Sequence, residues 1–248
     1  MAPIFVIARL TIREAQRRRL LWVALFMGVA FLLVFGVAFH FIRLDIERQV
    51  APSEDLSFVS LLLLTAGLYA ANLMTNVVAV LVSVTTLSGE IESHTIDAIV
   101  TKPIPRWQVV MGKWLGFAGL VLTYMLFLAG GLMLIVYLRS GFAMDNIGRG
   151  VAMMALAALL VLTVSIAGGT RLSTIANGVM AFMLFGLAFM GGLVEQVGAL
   201  IRNTAAVNVG IVSSLIMPAD SLWKKATAYF QPSDVSNPFE LGPFAAIT

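Results

Sequence analysis

Five apolar runs, at 20–41, 58–87, 114–138, 151–169 and 175–194, fix what this chain can become. Each is close to the ~20 residues that a helix needs to cross roughly 30 Å of hydrocarbon at about 1.5 Å rise per residue. A mean hydropathy of +0.96, with 60% hydrophobic and only 12% charged residues, exceeds what a water-soluble domain can sustain. The chain therefore reads as an all-α, polytopic transmembrane helical bundle, a single domain over 1–248. The links 139–150 and 170–174 are short, which makes consecutive helices antiparallel neighbours. The first run is no cleavable signal peptide: it is too long, it lacks a small-residue cleavage site, and the 19 residues before it look structured.

Charge sets the orientation. With the N-terminus in the cytoplasm, the inner side carries nine cations (Arg9, Arg13, Arg17, Arg18, Arg19, Lys102, Arg106, Lys113, Arg171). The outer side carries seven (Arg43, Arg48, Arg139, Arg149, Arg202, Lys224, Lys225). The count is nearly even, so position decides: Arg17, Arg18 and Arg19 abut the first span, whose flank usually dominates. This predicts a multi-pass protein of the inner or plasma membrane with a cytoplasmic N-terminus. In residues 1–19, Arg9, Arg13, Gln16 and Arg17 share one helical face, while Ile4, Ala8, Thr11 and Ala15 share the other. That is the pattern of an interfacial elbow helix whose cations meet lipid head groups; a plain positive flank would orient the chain alike. A net charge of +3 with no clustered basic face gives no support to nucleic-acid binding.

One polar island interrupts the apolar sequence between the second and third runs, residues 88–113, on the cytoplasmic side. Ser88 or Gly89 is expected to break the second span. From Glu90 to Val100 the polar and apolar residues alternate at helical spacing, which predicts a short helix there. Lys102-Pro103-Ile104-Pro105 must be extended, because each proline lacks a donor and disfavours helix at the residue before it. A connector needs only about five residues; this one has 26. The excess, with both charge signs and a rigid Pro-x-Pro corner, fits a docking surface for a soluble partner.

Thr65, Tyr69, Asn72, Asn76 and Ser83 line one face of the second span. Asn72 and Asn76 are candidates for the wall of a translocation path; interhelical hydrogen bonding, at on the order of 0.6 kcal/mol per bond, is the plainer account, above all for Thr65 and Ser83. The pairs Gly130-Gly131, Ala157-Ala158, Gly168-Gly169 and Gly191-Gly192 read as close helix contacts. No acid or base is buried mid-span, which argues against proton-driven transport and against charged channel rings. Residues 195–248 read as an extracytoplasmic segment. Within it Pro218 starts an amphipathic helix with Leu222, Trp223, Ala226, Tyr229 and Phe230 on one face, suited to the head-group boundary as a vestibule cap or a surface anchor.

Catalysis has no support in these residues. There is no Gly-x-x-x-x-Gly-Lys-Ser/Thr cradle for phosphates, and the pair Gly112-Lys113 runs on into Trp114. His40 and His94 are assigned to opposite sides of the membrane, and cysteine is absent, which removes thiolate chemistry and makes a metal site improbable. Energy, if any is used, must come from another polypeptide.

The island carries a resemblance. Gly89-Glu90-Ile91-Glu92, then Thr95, Ala98 and Ile99, then Lys102-Pro103-Ile104 with Arg106, Trp107 and Gly112-Lys113, resembles the loop between the second and third spans of type 2 ATP-binding-cassette exporter permeases. The resemblance implies an elbow helix carrying Arg9, Arg13 and Arg17, and a coupling helix seated in a separate ATPase. Glu90 and Glu92 would lie at the membrane exit of the second span, and Thr95, Ile96 and Ile99 on the coupling helix. Pro103 would shape the corner, and Arg106 and Lys113 would anchor the return. It implies cytoplasmic ATPase subunits as partners, which would bind the ATP and Mg, and a second permease copy or paralogue. This chain itself would hold no cofactor and perform no catalysis. It also implies a sixth span and a basic tail, neither of which appears before Thr248; the sequence is expected to be shorter than the gene product, the alternative being that the last helix is missing in fact. The alternative use of the same scaffold is a non-transporting membrane subunit that passes ATPase work to, or scaffolds, an extracytoplasmic or membrane complex. The cargo is not legible.

Overall fold

The computed structural model describes residues 3–17, 19–49, 53–92, 105–142, 144 and 146–230. Among them every regular element is a helix: α1 (Pro3–Arg17), α2 (Arg19–Gln49), α3 (Ser53–Glu92), α4 (Arg106–Ser140), α5 (Ile147–Gly169), α6 (Thr174–Leu200), α7 (Thr204–Ile216) and α8 (Ala219–Phe230). Five of them, α2 to α6, are long and apolar enough to span a membrane, at the five runs read from the sequence.

The helices outrun those runs. Ser88 and Gly89 do not break α3, which continues as one 40-residue helix to Glu92. Likewise α4 begins at Arg106, immediately after an extended Pro105 with φ −64° and ψ 137°. Proline's fixed φ suits a helix start and it has no N–H to leave unsatisfied there, so Pro105, extended at its ψ, leads directly into the helix at Arg106. Polar residues end a hydropathy signal but not a helix, which explains both extensions.

Burial ranks the helices. Within the most apolar stretch of each, 67% of α3 is buried against 11% of α2, so α3 is the central post and α2 the outermost wall. Toward the end where α3 begins, Leu64, Leu68, Leu128, Leu132, Met154 and Phe230 form one core cluster. Toward the end where α3 stops, Val80, Phe117, Val121, Val161, Leu162 and Met217 form a second. In α1, Arg9, Arg13 and Arg17 are exposed, while Thr11 and Ala15 are buried. The apolar face of the elbow, however, packs against protein. A Cβ on Gly112 would lie 2.7 Å from Ile7 Cβ and 3.0 Å from the Ile4 carbonyl, and one on Gly116 would lie 2.9 Å from the Ala8 carbonyl. Gly112-x-x-x-Gly116 is the small-x-x-x-small spacing that lets two helix backbones touch, and it seats α1 on α4.

The segment expected to lie flat outside does something different. α7 folds back antiparallel along α6, with Gly198 facing Ala206 and Gly191 facing Ser213. After Met217 the chain turns by 105° into α8. Met217 and Ala219 are buried in the second core cluster with Val80 and Phe117, whereas Phe230 packs on Gly150 near the start of α5. The pair is thus a re-entrant hairpin that enters and leaves at one end of the bundle. Its tip lies level with Ala188, 12 residues before the end of α6, or about 18 Å down the helix.

Candidate functional site

The polar face of α3 splits into three parts. Thr65 and Thr75 return their hydroxyls to their own helix, donating to the Leu61 and Ala71 carbonyls at 2.8 Å each. That is the ordinary way a hydroxyl is satisfied in lipid, and it leaves no group for a ligand. Nearer the 88–113 end, the Ser83 hydroxyl meets Ser165 Oγ of α5 at 2.7 Å, and Asn177 of α6 donates from Nδ2 to the Ser165 carbonyl at 3.0 Å. This ties α3, α5 and α6 together and gives Ser83 the interhelical role expected of it.

Between these, Asn76 donates from Nδ2 to Asn72 Oδ1 across 3.4 Å, and Asn76 Oδ1, fully buried, accepts nothing. Asn76 therefore faces packed protein, while Asn72 lines a recess one turn away. Asn76→Leu is expected to leave the apparent melting temperature unchanged or raised, because an unsatisfied buried carbonyl costs about 1–3 kcal/mol and the bond lost is long. A drop of several degrees in a detergent melt would contradict this.

The recess brings together residues from three elements: Tyr69 and Asn72 of α3, Phe185 and Phe189 of α6, and Asp220 and Trp223 of α8. It is a small cavity of about 10 Å³, room for about one water molecule. Tyr69 is its pivot. Its ring lies 5.5 Å from Trp223, edge to face, and 5.8 Å from Phe189. Such tilted aromatic contacts add about 0.5–1.5 kcal/mol beyond area burial. Trp223, expected at the head-group boundary, is instead a core residue with 4% exposure.

Asp220 is the residue that sequence reasoning misplaced. Part of the 195–248 segment read as extracytoplasmic, it sits at the turn of the hairpin, its side chain only 7% exposed, against Gly192 within the bundle. A Cβ at position 192 would collide with the carboxylate, so glycine is what admits it. Lys224, one turn on, reaches Glu195 Oε2 of α6 at 2.6 Å and Asp220 Oδ2 at 3.1 Å. The earlier exclusion of intramembrane acids thus does not hold for the folded chain. The available signal was the pair Asp220 and Lys224 at i,i+4, on the same helix as the buried Trp223.

Of the residues assigned to docking, Thr95, Ile96, Ile99 and Pro103 lie outside the described residues. Glu90 and Glu92 fall in the last turns of α3, and Arg106 opens α4. Lys113 is 4% exposed, inside the packing of α4 and next to the Gly112 contact with α1. It suits an anchor of the return better than a charge offered to a partner. The described residues contain no group of three or more His, Cys, Asp or Glu side chains that could hold a metal.

No curated protein compared with the chain gives a significant match. A family model does match, described as ABC-2 family transporter protein, over residues 5–232. The matched region runs from the elbow through all five spans and the re-entrant hairpin. By sequence and by architecture, then, this chain belongs to the ABC-2 family, the membrane permease subunits of ABC transporters.

Proposed function

We propose that this permease is driven by a separate cytoplasmic ATPase that grips the 88–113 segment, and that it works in the direction of export with a second permease copy or paralogue. The N-terminus and the 88–113 segment then face the cytoplasm, in keeping with the basic flank of α2. ATP and Mg belong to the partner.

The observation that supports this reading is the continuity of the helices bordering that segment. α3 runs without a break to Glu92, five residues past the apolar run 58–87, and α4 resumes at Arg106. A force applied between them is carried into the bilayer by rigid rods rather than absorbed by a flexible loop. α3 is also the most buried span, and through Ser83, Ser165 and Asn177 it is tied to α5 and α6. Movement of its end therefore moves three helices.

Affinity-tagged permease extracted in mild detergent is expected to bring down an ATPase. Charge reversal at Glu92 or Arg106 is expected to reduce that recovery at least tenfold while membrane insertion is unchanged. Equal recovery from the Glu92→Arg and Arg106→Glu variants would remove the docking assignment.

A further inference from the structure

The recess between α3, α6 and α8 has a chemistry that packing alone does not require. Its walls are the rings of Tyr69, Phe185, Phe189 and Trp223, and its one formal charge is the Asp220 carboxylate. Two carboxylates, Glu195 and Asp220, share one ammonium, Lys224, so with both ionised the cluster has one negative charge more than its own cation neutralises. Lys224 makes its shorter contact with Glu195, at 2.6 Å, and that contact is a hydrogen bond. Its approach to Asp220 is longer, at 3.1 Å, and Asp220 Oδ2, buried, accepts no hydrogen bond. An ionised side chain at this depth is costly in lipid and is kept where it has a counter-charge to meet. Aromatic walls reinforce the same preference, since the ring faces attract cations by about 0.5–2 kcal/mol.

We propose that this recess is a subsite for a primary ammonium group on the transported molecule. Asp220 is the counter-ion, the aromatic rings are the walls, and Asn72 is a polar contact at the rim. The enclosed space, about that of one water, is the size of an ammonium head. Lys224 retains Glu195 while Asp220 is given to the incoming amine, so no carboxylate is left bare. The inference rests on the permease reading, since it names the substrate class for that same site. It places the cation at the tip of the re-entrant hairpin, so occupancy and hairpin position are coupled.

The test uses the full-length permease purified in detergent, without any ATPase. The probes are 2-phenylethylammonium and its uncharged counterpart 2-phenylethanol, with binding read by calorimetry and by tryptophan fluorescence. The ammonium is expected to bind at least tenfold tighter than the alcohol. Asp220→Asn is expected to erase that difference, and Asp220→Glu to retain part of it. Tyr69→Leu is expected to weaken the ammonium at least threefold, and it provides a second readout should Asp220→Asn fold poorly by size-exclusion profile. Equal binding of the two probes to the wild type overturns the proposal, as does undiminished preference for the ammonium in folded Asp220→Asn. Recovery of the ATPase is scored separately, so a failed subsite and a failed permease assignment give different results.

Discussion

Lys224→Met is expected to destabilise the folded permease by about 2 kcal/mol, more than any other single charge removal among the residues discussed. The side chain reaches both Glu195 and Asp220, so its loss leaves two carboxylates close together with no cation between them. Breaking a fully buried pair costs about 3–5 kcal/mol, chiefly through the stranded charge. The figure here is lower because Lys224 and Glu195 are 30% and 27% exposed. Non-additivity identifies the cause: Lys224→Met combined with Asp220→Asn is expected to be more stable than Lys224→Met alone, since the second change removes the stranded charge. Detergent melts of the two singles and the double complete the cycle. Additive losses would mean that Lys224 contributes packing and not charge.

The second large effect is steric. Gly210→Val is expected to cost about 3 kcal/mol or more, at the upper end of overpacking effects, and to detach the hairpin from α6. A Cβ at 210 would sit 2.7 Å from the Gly191 carbonyl and 2.8 Å from Glu195 Cα, both backbone atoms of a long helix that cannot yield. Gly186 on the same α6 is the control. Nothing lies within 4 Å of a Cβ there, so Gly186→Ala is expected to be neutral or to gain up to about 1 kcal/mol of helix propensity. Protease sensitivity of the 204–230 segment should rise sharply in Gly210→Val and stay level in Gly186→Ala. Equal behaviour of the two would mean that α6 and α7 are not in backbone contact.

The five crossings were legible because length and hydropathy alone determine them, and Gly131, Gly168, Gly191 and Gly192 make close contacts of the kind their pairs predicted. Helix ends were less legible. Arg106 to Lys113 is polar enough to end a hydropathic run, yet the helix there is set by Pro105 and by the glycine seat for α1. Of the hairpin only α8 was legible, as the amphipathic helix that Pro218 starts; its fold back into the bundle was not. At 13 residues, α7 is too short to register as a crossing, and its position is decided by Gly198, Gly191 and Gly210, contacts between residues of two different helices. Asp220 was misread for the same reason. Its local context is that of a helix start in water, and only the fold carries it beside Tyr69 and Asn72. The face of Asn72 and Asn76 was found correctly, while the division between a packed Asn76 and a recess-lining Asn72 depends on which neighbour stands one turn along.

The bend between Ile216 and Ala219 interrupts helical hydrogen bonding within the bundle, where Met217 and Ala219 are buried against protein while Ile216 faces outward. Lipid alone would not tolerate such a break, because irregular backbone at that depth survives only when walled by protein. The hairpin is therefore expected to need the packed faces of α3, α5 and α6 in place before its buried side has a stable seat. The piece that carries Asp220 is thus expected to dock late, and a chain whose earlier crossings are mispacked is expected to leave that piece without a seat.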